Sequence, residues 1–428
     1  MKPPAPLAES YREAPYWWDQ AAPARPSPAP LPTEADVVIV GGGYTGVMAA
    51  ARLAWRGRAV ALLESHELGW GASSRNGGMV HPGFKVGAAT LLQRHGEDGA
   101  AIYQSSLEAF DLVERTIAEH RIDCDYTRSG HLDLAYRPGH LKGLESEARV
   151  LAERFKLDVR MIDRSGLTAE VGSNRYHGGL LVAASGGLHP AKYHAGLTRL
   201  AIDRGAHLYG GVAATGIERG RKGRFVVKTE RGSIACGAVL LATNGYSDRL
   251  MPQVRRRIIP IGSYMIATEP LPDELAAQTI PHRRMLFDTK NFLYYWRLSG
   301  DNRMLFGGRA SFAATTTWNA RDWLYDAMIR VHPQLKGLRV VRAWGGQVGF
   351  TFDRMPHIGR IKGITYAMGY CGTGVAMSTY FGQLAADWIA GGALPGHWQR
   401  SFPTVPLYQE HPWFLRPAGW YYGALDRF

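Results

Sequence analysis

The chain has 428 residues, 46 % of them hydrophobic, and a formal net charge of +13. That length accommodates two lobes with sizeable cores, and no apolar run approaches the roughly eighteen residues of a membrane span. Lys and Arg are scattered, with one dense cluster at Arg255, Arg256 and Arg257. The charge therefore argues against a nucleic-acid-binding protein and suits a field that attracts anionic cofactors and substrates.

The first twenty residues contain no apolar segment of the secretory kind. Cys124, Cys236 and Cys371 lie far apart without CxxC spacing, so neither a zinc site nor a disulfide framework is expected. Cytoplasm is the expected compartment. Residues 1–33 read as an arm: Tyr16, Trp17 and Trp18 form an aromatic anchor, and the Pro- and Ala-rich residues 21–33 follow as an extended segment.

The pattern then sharpens into one βαβ unit. Residues 35–40, ADVVIV, are a buried-strand run; a helix through GVMAAARLAWRG ends on Gly57; and RAVALLE at 58–64 is a second strand. Gly41, Gly43 and Gly46 set a GxGxxG fingerprint at the strand-to-helix turn, with Tyr44 and Thr45 between them. The first glycine permits the tight turn and the second admits a pyrophosphate close to the backbone. The third allows helix and strand to pack, with the phosphate at the helix N-terminus. Glu64 closes the second strand where a carboxylate would accept a ribose hydroxyl. The fingerprint predicts a dinucleotide without choosing between NAD and FAD.

Five residues past Glu64 comes GWGASSRNGGMVHPG, residues 69–83, too glycine-rich for a helix and without a strand's alternation. Helices are expected at 88–120, 141–155 and 188–206, with a strand, GHLDLAY, at 130–136. Three strands joined by turns fill 207–243, and a mostly antiparallel sheet fills 258–351. The glycine turn CGTGV and a last helix complete the pattern.

Four segments, in order, give the chain its resemblance: DVVIVGGGYTGVMAAARLAWRG, GASSRNGGMV, WGGQVGFTFDRMPHIGR and GYCGTGVAMSTYFG. The sequence resembles the FAD-dependent amine and amino-acid oxidoreductases of the glycine oxidase, sarcosine oxidase and D-amino-acid oxidase group. Within that group it looks most like the gamma-glutamylputrescine oxidase branch. The resemblance implies an α/β fold, with a Rossmann-like FAD domain of the glutathione-reductase type and a discontinuous substrate domain of antiparallel sheet plus helix. Segments 34–87, 145–255 and 353–428 are assigned to the first, and 88–144 and 256–352 to the second.

The resemblance also places FAD along the glycine-rich strip, at Ser73, Ser74, Arg75, Asn76, Gly77, Gly78 and Met79. Backbone amides must approach the cofactor there without Cβ clashes. Ala214 is carried over as facing the adenine, and Thr243, Asn244 and Gly245 as lying beneath the pyrophosphate. Gly372, Thr373, Gly374 and Val375 are carried over near the flavin pyrimidine, where amides stabilise the negative charge of reduction. Some relatives attach the flavin through a cysteine in the segment like WGGQVGF; none occurs here, so noncovalent FAD is expected, with a linkage through a histidine near His81 as the alternative.

Such enzymes need an aromatic wall and, for an acidic substrate, a cation. Tyr264, Tyr295, Arg297, Arg309 and Trp344 are the candidates, Arg being the natural partner for both oxygens of a carboxylate. Alternation along a strand limits how many can share one cavity. The segment in which glycine and D-amino-acid oxidases carry a carboxylate-binding Arg has Val348 here, so Arg309 and Lys85 become substitutes. The expected activity is oxidation of a small anionic primary or secondary amine with O2 as acceptor. The alternative is a dehydrogenase that passes electrons to a carrier or quinone.

Overall fold

The computed structural model describes residues 4–23, 29–309, 315–406, 408 and 412–426. Two sheets organise it. The first has eight strands, and its path runs Ala214–Arg219, Phe225–Thr229, Gly232–Leu241, Glu34–Val40, Val60–Glu64, His207–Gly210. Ile364–Met368 joins it parallel to Gly232–Leu241 and carries His357–Ile361 antiparallel. The strands around Glu34–Val40 are parallel and near-continuously apolar, as a sheet covered on both faces requires. Helices Tyr44–Trp55, Pro190–Asp203 and Gly374–Ile389 share its core, with Val47, Leu53, Leu197 and Phe381 buried.

The second sheet has nine strands in the order Leu7–Arg12, Val340–Phe350, Ile259–Pro270, Arg303–Gly308, Tyr294–Leu298, Met285–Asp288, His131–Leu134, Gly178–Val182, Val159–Asp163. One face packs on helix Thr317–Val331 through Ile266, Trp296, Phe306, Leu324 and Met328. That helix lies inside the segment read from the sequence as a mostly antiparallel sheet. Val159–Asp163 and Gly178–Val182 join this sheet although they lie outside the 88–144 and 256–352 assigned to a substrate domain. Their membership rests on pairing with His131–Leu134 and with each other, a long-range property that short apolar runs do not announce.

The expected helix at 88–120 forms as Ala88–Glu119 with a break at Gly96 (φ 53, ψ −128), and Leu141–Phe155 forms as read. The first of the three strands expected over 207–243 divides into His207–Gly210 and Ala214–Arg219, and the two hairpins that follow are antiparallel. The arm is partly a strand: Leu7–Arg12 lies parallel to Val340–Phe350. Residues 24–28 of its Pro-rich segment lie outside the described residues. No described helix is long and apolar enough to cross a membrane.

Candidate active site

At the end of strand Glu34–Val40 the chain turns through Gly41, whose φ of +110° suits glycine. A Cβ there would come within 2.8 Å of the Ala242 backbone, and one at Gly46 would overlap the carbonyl oxygen of Gly41. Helix Tyr44–Trp55 starts at Gly43 with no acidic residue in its first turn, and the amide of Tyr44 donates to Ser73 Oγ at 2.9 Å. Tyr44 and Thr45 are themselves tied inward, to Pro190 O at 2.9 Å and to Tyr370 Oη at 2.6 Å. The Glu64 carboxylate accepts from the amides of Gly42 (2.8 Å) and His66 (3.0 Å). Positive helix end, missing Cβ atoms and oriented carboxylate fit a dinucleotide, with the pyrophosphate at the helix and a ribose at Glu64.

The strip 73–79 runs between this turn and the nine-stranded sheet, and hydrogen bonds within the protein hold its shape. The side-chain amide of Asn76 donates to Ala72 O and Ser73 O (3.1 Å each), and its oxygen accepts from Gly78 N at 2.8 Å. Ser74 Oγ donates to Gly69 O at 2.5 Å and accepts from Trp18 Nε1 at 2.8 Å. The guanidinium of Arg75 lies 4.5 Å from the ring centres of both Trp18 and Trp70 and donates to Trp70 O. Trp17 Nε1 donates to Asn76 O and Trp344 Nε1 to Arg75 O. The side chains of Ser74, Arg75 and Asn76 are thus engaged in building the strip, and the aromatic anchor of the arm clamps it. Gly77 and Gly78 follow, the latter at φ +69° against Leu188 O. Met79 then pairs with Gly187.

The remaining cofactor candidates meet from three places. Asn244, at φ 44°, accepts from Gly369 N at 2.9 Å, Thr243 Oγ1 bonds Ser247 Oγ, and Gly245 packs within 2.9 Å of Gly349 N where a Cβ would stand. A Cβ at Gly372 (φ +110°) would meet nothing within 4 Å, so that turn fronts open space. Thr373 closes back on Tyr370 O (3.0 Å), and Gly374 and the buried Val375 begin the last core helix. Ala214 opens an outer strand opposite Thr229.

Alternation divides the substrate candidates between the two faces of the nine-stranded sheet. Met265 pairs with Trp344 and Ser263 with Gly346, and Tyr295 belongs with Met265 and Trp344 on the strip side. Tyr295 Oη bonds Ser263 Oγ at 3.0 Å, and its ring lies against Gly77. Tyr264 points the other way, packing with Tyr294 and Trp323 and donating to Thr315 O at 2.7 Å. It is not brought to the others. Arg297 lies behind the strip, donating to Gly78 O at 3.1 Å. Arg309 stands over Phe350, 5.0 Å from the ring centre; burial lowers its pKa, and Tyr295 and Cys371 partly offset that.

Lys85 is exposed yet crowded by protein, and the charge of Arg309 acts on it. Burial, then Arg309, then Arg354 push its pKa down to about 8, against a partial offset from Asp133 and Asp288. Around it gathers a group that the sequence reading did not name as site residues. His81 lies 5.5 Å from His131 and 5.2 Å from Phe287, ring to ring. His131 Nδ1 bonds Ser185 Oγ at 2.6 Å, and its Nε2 is 3.5 Å from Asp133 Oδ2. Burial, then His131, lower His81 to about 4. Burial raises Asp133, but the bond from His131 and the facing charges, Lys85 among them, outweigh it and hold the carboxyl below its usual value. The signal was present in GHLDLAY: His131 and Asp133 alternate with the wholly buried Leu132 and Leu134, placing two polar groups on one face of an interior strand.

Comparison with known proteins agrees with this geometry. Residues 36–388 match the family model described as FAD dependent oxidoreductase. The chain is 34 % identical to a probable oxidoreductase OrdL of Haemophilus influenzae, with 83 % of each chain covered. It is 33 % identical to the gamma-glutamylputrescine oxidoreductase of Escherichia coli, with 84 % of each covered. Its fold is similar to that of glycine oxidase from Geobacillus kaustophilus, with a TM-score of 0.72 and 22 % identity over 85 % of this chain and 96 % of that one. A complete nucleotide fingerprint, a glycine strip without Cβ obstruction and a match across most of the chain lead to one conclusion: the protein belongs to the FAD-dependent oxidoreductase family.

Proposed function

We propose that the enzyme oxidises a small carboxylate-bearing primary or secondary amine to an imine, which water hydrolyses. The two electrons and two protons removed from the C–H and N–H bonds reduce O2 to H2O2. The observation that carries this reading is the pair Lys85 and Arg309, two cations near enough for the charge of Arg309 to lower the pKa of Lys85. Among the described residues neither makes an ion pair, and their mutual repulsion helps lower Lys85. A substrate carboxylate would relieve that repulsion.

When bound noncovalently, FAD supplies the two-electron acceptor for the hydrogen on the amine's α-carbon. The chain's own residues bind, orient and exclude water. Arg309 offers a planar fork to the substrate carboxylate and Lys85 a point charge. Asp133, kept ionised, accepts a hydrogen bond from the substrate nitrogen, and His131 holds that carboxylate in place. Tyr295 and Phe287 supply the aromatic wall, while Trp344 braces the strip through Arg75 O.

Anaerobic mixing of the flavin-loaded enzyme with secondary amines, amino acids, polyamine conjugates and iminodiacetate-like dicarboxylates tests the reading. Loss of flavin absorbance with carboxylate-bearing amines, restored rapidly by air with stoichiometric peroxide, is the expected result. Bleaching that air restores only slowly would point instead to a dehydrogenase that uses a carrier or quinone.

A further inference from the structure

Behind the strip, on the side of the arm, lies a cavity of about 270 Å³. Its walls include Tyr16, Trp17, His189, Arg283, Arg297 and Asp301. Two side chains that face it are almost wholly buried, Arg297 at 5 % exposure and His189 at 2 %, and each has a nitrogen with no partner: Arg297 Nε and His189 Nε2.

Both nitrogens are donors. Among the described residues, Arg297 finds acceptors only through Nη1, at Gly78 O (3.1 Å) and Met285 Sδ (3.8 Å), and its Nε–Nη2 edge has no partner there. His189 Nδ1 accepts from the amide of Lys192 at 3.1 Å, capping helix Pro190–Asp203. That bond fixes the neutral ring with its proton on Nε2; burial keeps the ring neutral, with a pKa lowered to about 4. The nearby carboxylates are already engaged. Asp125 binds Lys192 at 2.9 and 3.0 Å, and Asp301 accepts from Tyr16, Ser299 and Arg303 at 2.6–2.7 Å. Among the described residues, neither Arg297 nor Arg283 makes an ion pair. A buried guanidinium without a counter-charge is costly, and water can satisfy its N–H groups but not its charge.

We propose that this cavity binds a small carboxylate at a site separate from the substrate cleft. The Nε–Nη2 edge of Arg297 takes both oxygens in the bidentate geometry a guanidinium favours, and His189 Nε2 donates a further hydrogen bond. A monoanionic head suits the walls better than phosphate, whose second charge would face Asp125 and Asp301. The site is wired to the flavin strip: Arg297 holds Gly78 O, and Trp17, 5.5 Å from that guanidinium and 4.8 Å from the His189 ring, holds Asn76 O. Occupancy would therefore tighten FAD retention.

Calorimetric titration of the flavin-loaded enzyme with acetate, succinate and inorganic phosphate tests the proposal. Besides any binding at Lys85 and Arg309, one saturable carboxylate site per chain is expected, retained in Arg309→Met and weakened at least ten-fold in Arg297→Met. His189→Asn, which keeps a helix-capping side chain but removes the Nε2 donor, should also weaken it and serves if Arg297→Met does not fold. Absence of saturable binding would overturn the proposal. So would binding lost in Arg309→Met but kept in His189→Asn, or phosphate binding tighter than either carboxylate.

Discussion

The turn around Gly41–Gly46 and the cleft face of the nine-stranded sheet solve opposite problems. At the turn the backbone itself is the binding surface, and glycines are needed because the chain packs on its own carbonyls. On the sheet face, side chains from distant strands converge, and Lys85 and Arg309 make no ion pair among the described residues. The first region is rigid and tolerates no added atom. The second stores electrostatic repulsion that a ligand of opposite sign relieves. On the proposed reading, recognition of a large, constant cofactor is built into backbone, and recognition of a small, variable substrate is left to side chains.

That contrast breaks most sharply at Gly46. Gly46→Ala forces a Cβ into the Gly41 carbonyl and should destabilise the fold by about 3 kcal/mol, with loss of bound flavin; urea melts and flavin content after gel filtration report both. If the variant keeps full stability and flavin, the backbone account of the turn fails. Next in size is Arg309→Met, which should raise KM for a carboxylate-bearing amine about 10- to 100-fold, the worth of a charged hydrogen bond. The descarboxy analogue should hardly respond.

Lys85 sharpens the comparison through pH. Its pKa in the free enzyme is lowered to about 8, so the ammonium is charged below that pH and neutral above it. Carboxylate capture should therefore weaken as pH rises through about 8, giving a falling limb in kcat/KM. Lys85→Met should lose that limb and Lys85→Arg should move it out of range; an unchanged profile in Lys85→Met would exclude Lys85 from substrate binding. The smallest effect is expected at the clamp between arm and strip. Trp18→Phe removes the bond to Ser74 Oγ and should cost about 1 kcal/mol, seen as a lower melting temperature, with KM unchanged.

The turn was legible because its chemistry is contiguous: strand, glycines, helix and Glu64 fall within thirty residues of one another. The glycine strip was legible in composition, but the work of its polar residues was not. Asn76 and Ser74 bind the strip's own backbone, and Arg75 stacks between two tryptophans, one of them 57 positions away in the arm. Such partners are invisible to spacing. On the sheet, alternation warned that the candidates would divide, yet only the registers of Ile259–Pro270 and Tyr294–Leu298 against Arg303–Gly308 show Tyr264 on the far face from Tyr295. Lys85 and Arg309 could be named individually; their approach depends on a loop and a strand more than two hundred residues apart. His131 and Asp133 carried a signal that a reading aimed at strands passed over.

The central claim, that a cationic pair beside the flavin strip selects carboxylate-bearing amines, is met most directly by a matched pair of substrates. Anaerobic reduction of the bound flavin should be followed by stopped flow with an amine and its carboxylate-bearing counterpart, in the native enzyme and in Arg309→Met. The account predicts at least ten-fold tighter binding of the acid in the native enzyme, reduced to near equality in the variant. Equal binding of the two amines by the native enzyme would contradict it.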